Sequence, residues 1–146
     1  MAVTISLYDH TVKKLVNKEW IYTTLRVMLL NNSATFTAAN TTLSQVTNSG
    51  AYQVSGNGWT AGGETLANCA VTVVTTNDAK LDADDISVTA SGGTIGPAYK
   101  AVIYDDTDAS DAPLAFIDFG GSQQAGDSTP FKILWNASGI ITFTYT

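Results

Sequence analysis

Short apolar or alternating runs, each cut off by Gly, Pro, Asn or Asp, recur roughly every eight to fifteen positions along this chain. Examples are 51–55 (AYQVS), 70–76 (AVTVVTT), 95–104 (IGPAYKAVIY), 113–119 (PLAFIDF), 129–135 (TPFKILW) and 139–145 (GIITFTY). Strands joined by connections this short pair antiparallel, because a parallel pair needs a crossover of a dozen or more residues, usually a helix. The sequence offers no such helices, and no fixed period betrays a propeller or solenoid. About seven to nine short strands therefore predict one antiparallel β-sandwich or barrel domain spanning residues 1–146. Composition agrees: 21 Thr, 12 Gly and 9 Asn supply β-branched side chains for pleats and residues that accept positive φ in turns. An all-helical fold is excluded.

Local patterns sharpen this expectation. Residues 9–19 (DHTVKKLVNKE) form the best helical stretch, with Asp9 placed to cap it and Val12, Leu15 and Val16 spaced as an inward stripe. A strand is predicted over 21–30 and a single helical turn near 43–46, inside the polar stretch 31–49. The tetrapeptide Asn136-Ala137-Ser138-Gly139 predicts a hairpin between the last two strands.

Charged residues make up only 14% of the chain, and the net charge of −6 argues against nucleic acid as a partner. The sign is uneven, with +2 over residues 1–32 and −8 over 33–146. A single cysteine, Cys69, excludes an intramolecular disulfide and suits folding in a reducing compartment. No run approaches the roughly 18 apolar residues of a membrane span, and Met1–Ser6 does not read as a signal peptide. The expectation is synthesis in a cytoplasm without export by the general pathway, and no membrane partner.

Reactive chemistry finds little support. Gly56-Asn57-Gly58-Trp59-Thr60-Ala61 formally matches a dinucleotide fingerprint, but Gly62-Gly63 forbids the helix that would receive the pyrophosphate. Two acidic clusters, Asp82/Asp84/Asp85 and Asp105/Asp106/Asp108/Asp111, offer the oxygen ligands that calcium takes. Neither follows the EF-hand order, and solvated acidic loops are the commoner reading. One histidine, His10, cannot build a His-rich metal site, and no G-x-S-x-G elbow is present. The expectation is no enzyme activity, no cofactor and no metal. What remains is contact chemistry: Lys13, Lys14, Lys18 and Trp20 in the basic first segment, and Trp59 on a Gly-rich loop, are the candidates for contact with a shell or another subunit.

Several blocks resemble a family of small structural proteins from tailed bacteriophages. They are the run Ala51–Leu66 (AYQVSGNGWTAGGETL), the acidic Leu81–Asp85, Ala101–Thr107 (AVIYDDT), Pro113–Gly120 (PLAFIDFG) and the late Trp135-Asn136-Ala137-Ser138-Gly139-Ile140. The resemblance runs over nearly the whole chain, and its motifs are turns and strands. It implies an antiparallel jelly-roll-like β-sandwich with a short N-terminal helix. It further implies a structural virion protein, a cement or decoration protein on the capsid exterior, made in the host bacterial cytoplasm. The implied partners are the major capsid protein and further copies of the chain, as a dimer or trimer. A tail or head–tail component is the alternative within the same class. A carbohydrate-binding β-sandwich module is the alternative outside it.

Overall fold

The computed structural model describes residues 2–17, 19, 24–75 and 78–144. Among the described residues strands hold 46% and helices 10%, and every strand pairing is antiparallel. Among the described residues there are eleven strands and two helices. The central sheet runs β1(Thr4–Leu7), β9(Pro113–Ala125), β8(Ile95–Asp105), β2(Leu25–Leu30) and β3(Gln53–Val54), and β4(Glu64–Thr65) also pairs with β2. Two smaller sheets complete the fold. One is β11(Ile141–Thr144), β6(Asp78–Asp82) and β5(Ala70–Thr75); the other is β10(Pro130–Ile133) with β7(Ile86–Thr89).

Alternation along the central strands sorts their side chains onto two faces, and both faces are buried. Leu25, Val27 and Leu29 of β2, Ala101 and Ile103 of β8, and Ala115, Ile117 and Phe119 of β9 face one core. That core also takes Leu81, Ile86, Phe131, Ile133 and Ile141 from the small sheets. The intervening residues Met28, Leu30, Val102, Tyr104 and Phe116 face a second core, shared with Tyr8, Ala34, Leu43 and Val46. Double burial explains why these strands read as nearly unbroken apolar runs.

The second face is covered by Tyr8, just before α1(Asp9–Val16), and by the 31–52 segment carrying α2(Leu43–Thr47), while Leu15 of α1 packs against the first core. Helix α2 starts with a capping box: the Thr42 hydroxyl accepts from the Gln45 amide while the Gln45 side chain accepts from the Thr42 amide. The Lys100 ammonium donates to the carbonyls of Asn32 and Ala34, at 3.0 and 2.7 Å, and ties this polar segment down.

Three expectations are corrected. Residues 130–133 and 141–144 do not form a hairpin: β10 pairs with β7 and β11 with β6. The tetrapeptide is a tight turn, with Gly139 N donating to Asn136 O at 2.8 Å, but it carries the chain from one sheet to another. Trp135 fixes that departure by donating its amide to Asp85 Oδ1 (2.8 Å) and its indole N–H to Asp84 O (3.1 Å). Second, the residue that flanks α1 as its N-cap is Tyr8, which makes no side-chain cap; Asp9 is the first helical residue. Third, α1 presents Thr11 and Leu15 inward and leaves Val12 and Val16 exposed. The Thr11 hydroxyl donates to Leu114 O at 2.8 Å, and that buried bond sets the rotation of the helix.

The Gly-rich block Ser55–Gly63 is a structural clamp. Gly56 and Trp59 exchange backbone hydrogen bonds of 2.9 and 3.0 Å around the turn. The Asn57 side-chain amide donates to Thr94 O (2.7 Å), and Trp59 packs edge-on against Phe131 with centroids 5.4 Å apart. Gly63 sits at φ +92°, where a Cβ would lie 2.2 Å from Val27 O of the adjacent strand; Gly50 has a similar φ of +89° in open space. Gly63→Ala should cost about 3 kcal/mol or more, and Gly50→Ala about 1 kcal/mol. Urea midpoints of the two variants check this contrast between backbone collision and conformational strain alone.

Candidate interaction surfaces

The basic N-terminal segment is only partly a free surface. Lys13 is exposed, but Lys14 is half-buried and pairs with Asp108, with Glu19 a further 3.9 Å contact. Lys18 and Trp20 lie outside the described residues. What α1 shows to solvent is Val12 (57% exposed) and Val16 (76% exposed), one turn apart, with Lys13 beside them. An amphipathic helix normally buries such a pair, so this small apolar patch next to a cation is a feature the rotation of α1 creates.

Trp59 is corrected as a contact candidate. It is 2% exposed and belongs to the main core, so it offers a partner no surface. Its position on a Gly-rich loop was misleading because the loop folds inward, and Phe131, far away in sequence, supplies the pocket.

The acidic segment 105–111 is occupied by internal donors. Asp105 Oδ1 accepts from the Thr24 hydroxyl (3.1 Å) and from the Thr107 amide and hydroxyl (3.0 and 2.7 Å). Asp106 meets Arg26 Nε at 3.5 Å. Asp108 accepts from Lys14 and from the amide and hydroxyl of Ser110. The carboxylates of Asp105, Asp106 and Asp108 are thus each turned toward a donor, and among the described residues no three His, Cys, Asp or Glu side chains converge as metal ligands do. His10 Nε2 lies 2.6 Å from Pro113 O, which fixes the ring against β9. Burial, with Asp82 adding to it, pushes the Cys69 thiol up to about 11, so little nucleophilic thiolate exists near neutral pH.

A groove of about 610 Å³ opens between the β1 edge of the central sheet and β10. Its lining includes Val3, Ile5, Phe119, Phe131, Leu134 and Trp135, and its one charged side chain is Lys132. Such a groove can hold apolar groups, but its described lining offers no carboxylate, imidazole or thiol for acid–base or nucleophilic work. The other exposed apolar surface is strand β5, all six of whose residues are exposed.

Compared with protein-family models, curated proteins and solved structures, the chain has no match in any of the three.

The Lys14–Asp108 pair sets a pH dependence. The hydrogen bond from Lys14, assisted by Ser110, lowers the Asp108 carboxyl from 3.8 to about 2. The stabilisation is therefore whole above about pH 4 and is lost as pH falls through about 2. Lys14→Met should cost about 1 kcal/mol near neutral pH. In urea titrations the variant and wild type should converge as the pH approaches about 2. Asp111 shows the opposite sign: burial and then the negative charges of Asp106, Asp108 and Asp105 raise its carboxyl. An ionised Asp111 costs stability above that raised value, and its φ of +48° suits asparagine. Asp111→Asn should stabilise the fold by about 0.5–1 kcal/mol at pH 7, with the gain disappearing in acid.

Proposed function

We propose that this chain is a structural virion protein, a cement or decoration protein that binds the exterior of a phage capsid and stabilises it. Its partners are then the major capsid protein and further copies of itself, its place the virion surface, and its site of synthesis the bacterial cytoplasm. The reading assigns it no catalytic step, no cofactor and no metal, and takes its layered antiparallel sheets as a jelly-roll-like sandwich.

The observation that carries it is the character of the exposed surface. Apolar side chains stand outward on secondary-structure elements, at Val12 and Val16 on α1 and along β5, while Asp105 and Asp108 accept hydrogen bonds from Thr107 and Ser110 within the fold. Surfaces of this kind bury area against another protein; they do not activate a small molecule. The turn and strand blocks that resemble phage structural proteins support the same conclusion. In this reading the outer face of α1 meets the shell, with Lys13 aiding encounter with an acidic capsid and Val12 and Val16 supplying the desolvated contact.

Purified protein should saturate heads of the phage that encodes it at a fixed copy number in a sedimentation binding assay. The triple variant Val12→Asp, Lys13→Glu, Val16→Asp should fold, since all three side chains are exposed, and should bind at least about tenfold more weakly. Unchanged binding at low salt would remove α1 as the docking face. Saturation of tails in place of heads would move the protein to the head–tail or tail apparatus. Specific glycan binding with no affinity for either would replace the proposal with the carbohydrate-binding reading.

A further inference from the structure

Strand β5 is an edge without a charge or a proline to guard it. It is the outer strand of the β11-β6-β5 sheet, and its sequence from Ala70 to Thr75 (AVTVVT) carries neither charge nor proline. Among the described edge strands it is the longest, the others having four residues or two. Proteins normally blunt such an edge with lysine, proline, shortness or a bulge. Here β10 carries Pro130 and Lys132, and β3 and β4 are two residues each. The one irregularity of β5 falls within its last residues, between Val73 and Thr75, and leaves Ala70–Val73 in regular register with β6.

The faces of β5 are as distinct as its edge is open. Val71 lies opposite Leu81 and Val73 opposite Ala79, while Ile141 and Phe143 of β11 extend the same rows. Leu81 and Ile141 are buried in the main core, so this is the inward face of the small sheet. It overhangs the core: Val71 is 41% exposed and Val73 is 81% exposed. The opposite face carries Ala70 and Thr72, with Thr72 next to Lys80, which itself pairs with Asp82 at 2.7 Å. An apolar row beyond the core therefore ends at an edge that no other described strand pairs with.

The geometry points to a second copy of this chain as the occupant, added edge to edge so that β5 pairs antiparallel with β5 across a two-fold axis. Charge selects this partner. The chain carries a net −6, so two copies repel unless they meet through a neutral surface, and β5 is neutral along its whole length. Register selects it again. A two-fold axis at Thr72 sets Thr72 opposite its own copy on the face it shares with Ala70. It also sets Val71 opposite Val73 of the second copy, twice, on the apolar face. Neighbouring registers that keep the faces matched leave one valine of each pair opposite a different residue. The result is a continuous six-stranded sheet across the dimer, with the overhanging valines covering one another. Pairing of this kind closes on itself at two copies. It concerns the chain alone and holds whether or not the protein sits on a shell.

Sedimentation velocity over about 5–200 μM, the range for a small interface, should show the mass rising toward twice 15.4 kDa. Val73→Lys and, separately, Thr72→Glu place like charges across the axis and should each weaken dimerisation at least about tenfold, with far-UV circular dichroism unchanged. Directly opposed strand residues lie within disulfide reach. Thr72→Cys, in a Cys69→Ser background, should therefore give a covalent dimer on mild oxidation, while Thr142→Cys on the outer strand β11 should not. A wild-type monomer throughout the range overturns the inference, as do a trimer, dimerisation undiminished in both charged variants, or equal cross-linking at Thr142. Head binding is measured independently, so a monomer that still saturates heads refutes the dimer and leaves the cement proposal standing.

Discussion

Burial of the central sheet on both faces is the constraint from which the rest of this structure follows. Strands β2, β8 and β9 place apolar side chains above and below, so neither face can be left to water. One layer must come from the later strands β6, β7, β10 and β11, and the other from Tyr8 and the 31–52 segment. The chain therefore has to wrap its own sheet. The many turns at positive φ and the clamps at Lys100, Trp135 and Asn57 are the means by which it does so.

Wrapping also decides what is left outside. Once Thr11 and Leu15 are committed to the sheet side of α1, Val12 and Val16 must face solvent. Once Leu81 and Ile141 are committed to the main core, β5 projects beyond it, because β6 lies between β5 and β11 and only part of that small sheet finds cover. The exposed apolar groups are thus the remainder of a packing problem, and the remainder lies where another protein can complete it. The acidic side chains face the opposite situation. Those of Asp105, Asp106 and Asp108 are drawn into turn and ion-pair contacts that hold a long connection between β8 and β9 close to α1.

The strands were readable from the chain because alternation and turn residues are local signals. The alternating runs form the strands Ala70–Thr75, Ile95–Asp105 and Pro113–Ala125, whereas Asp78–Asp82 (DAKLD) is a strand that its own charged sequence does not announce. Strand β9 continues through the polar GGSQQA to Ala125, since Ile95 and Ala98 of β8 give it a partner that no local pattern announces. Pairing partners were not legible for the same reason. The Asn136–Gly139 turn looks like a hairpin because a turn's chemistry describes its own four residues, whereas the destination of β11 depends on Leu81, more than fifty residues earlier.

Sequence by itself determined that this chain is mainly β and antiparallel, that it has a short N-terminal helix, and that its positive charge gathers near the start. These properties rest on alternation, on short connections and on composition, all of which act within a few residues. Only the tertiary structure decided which way those elements face. It turned Trp59 inward against Phe131, joined Lys14 to Asp108, and rotated α1 so that two valines look outward. It left β5 as a bare neutral edge. Each outcome depends on a partner distant in the chain, and burial is a property of the packed assembly that no single stretch of sequence possesses.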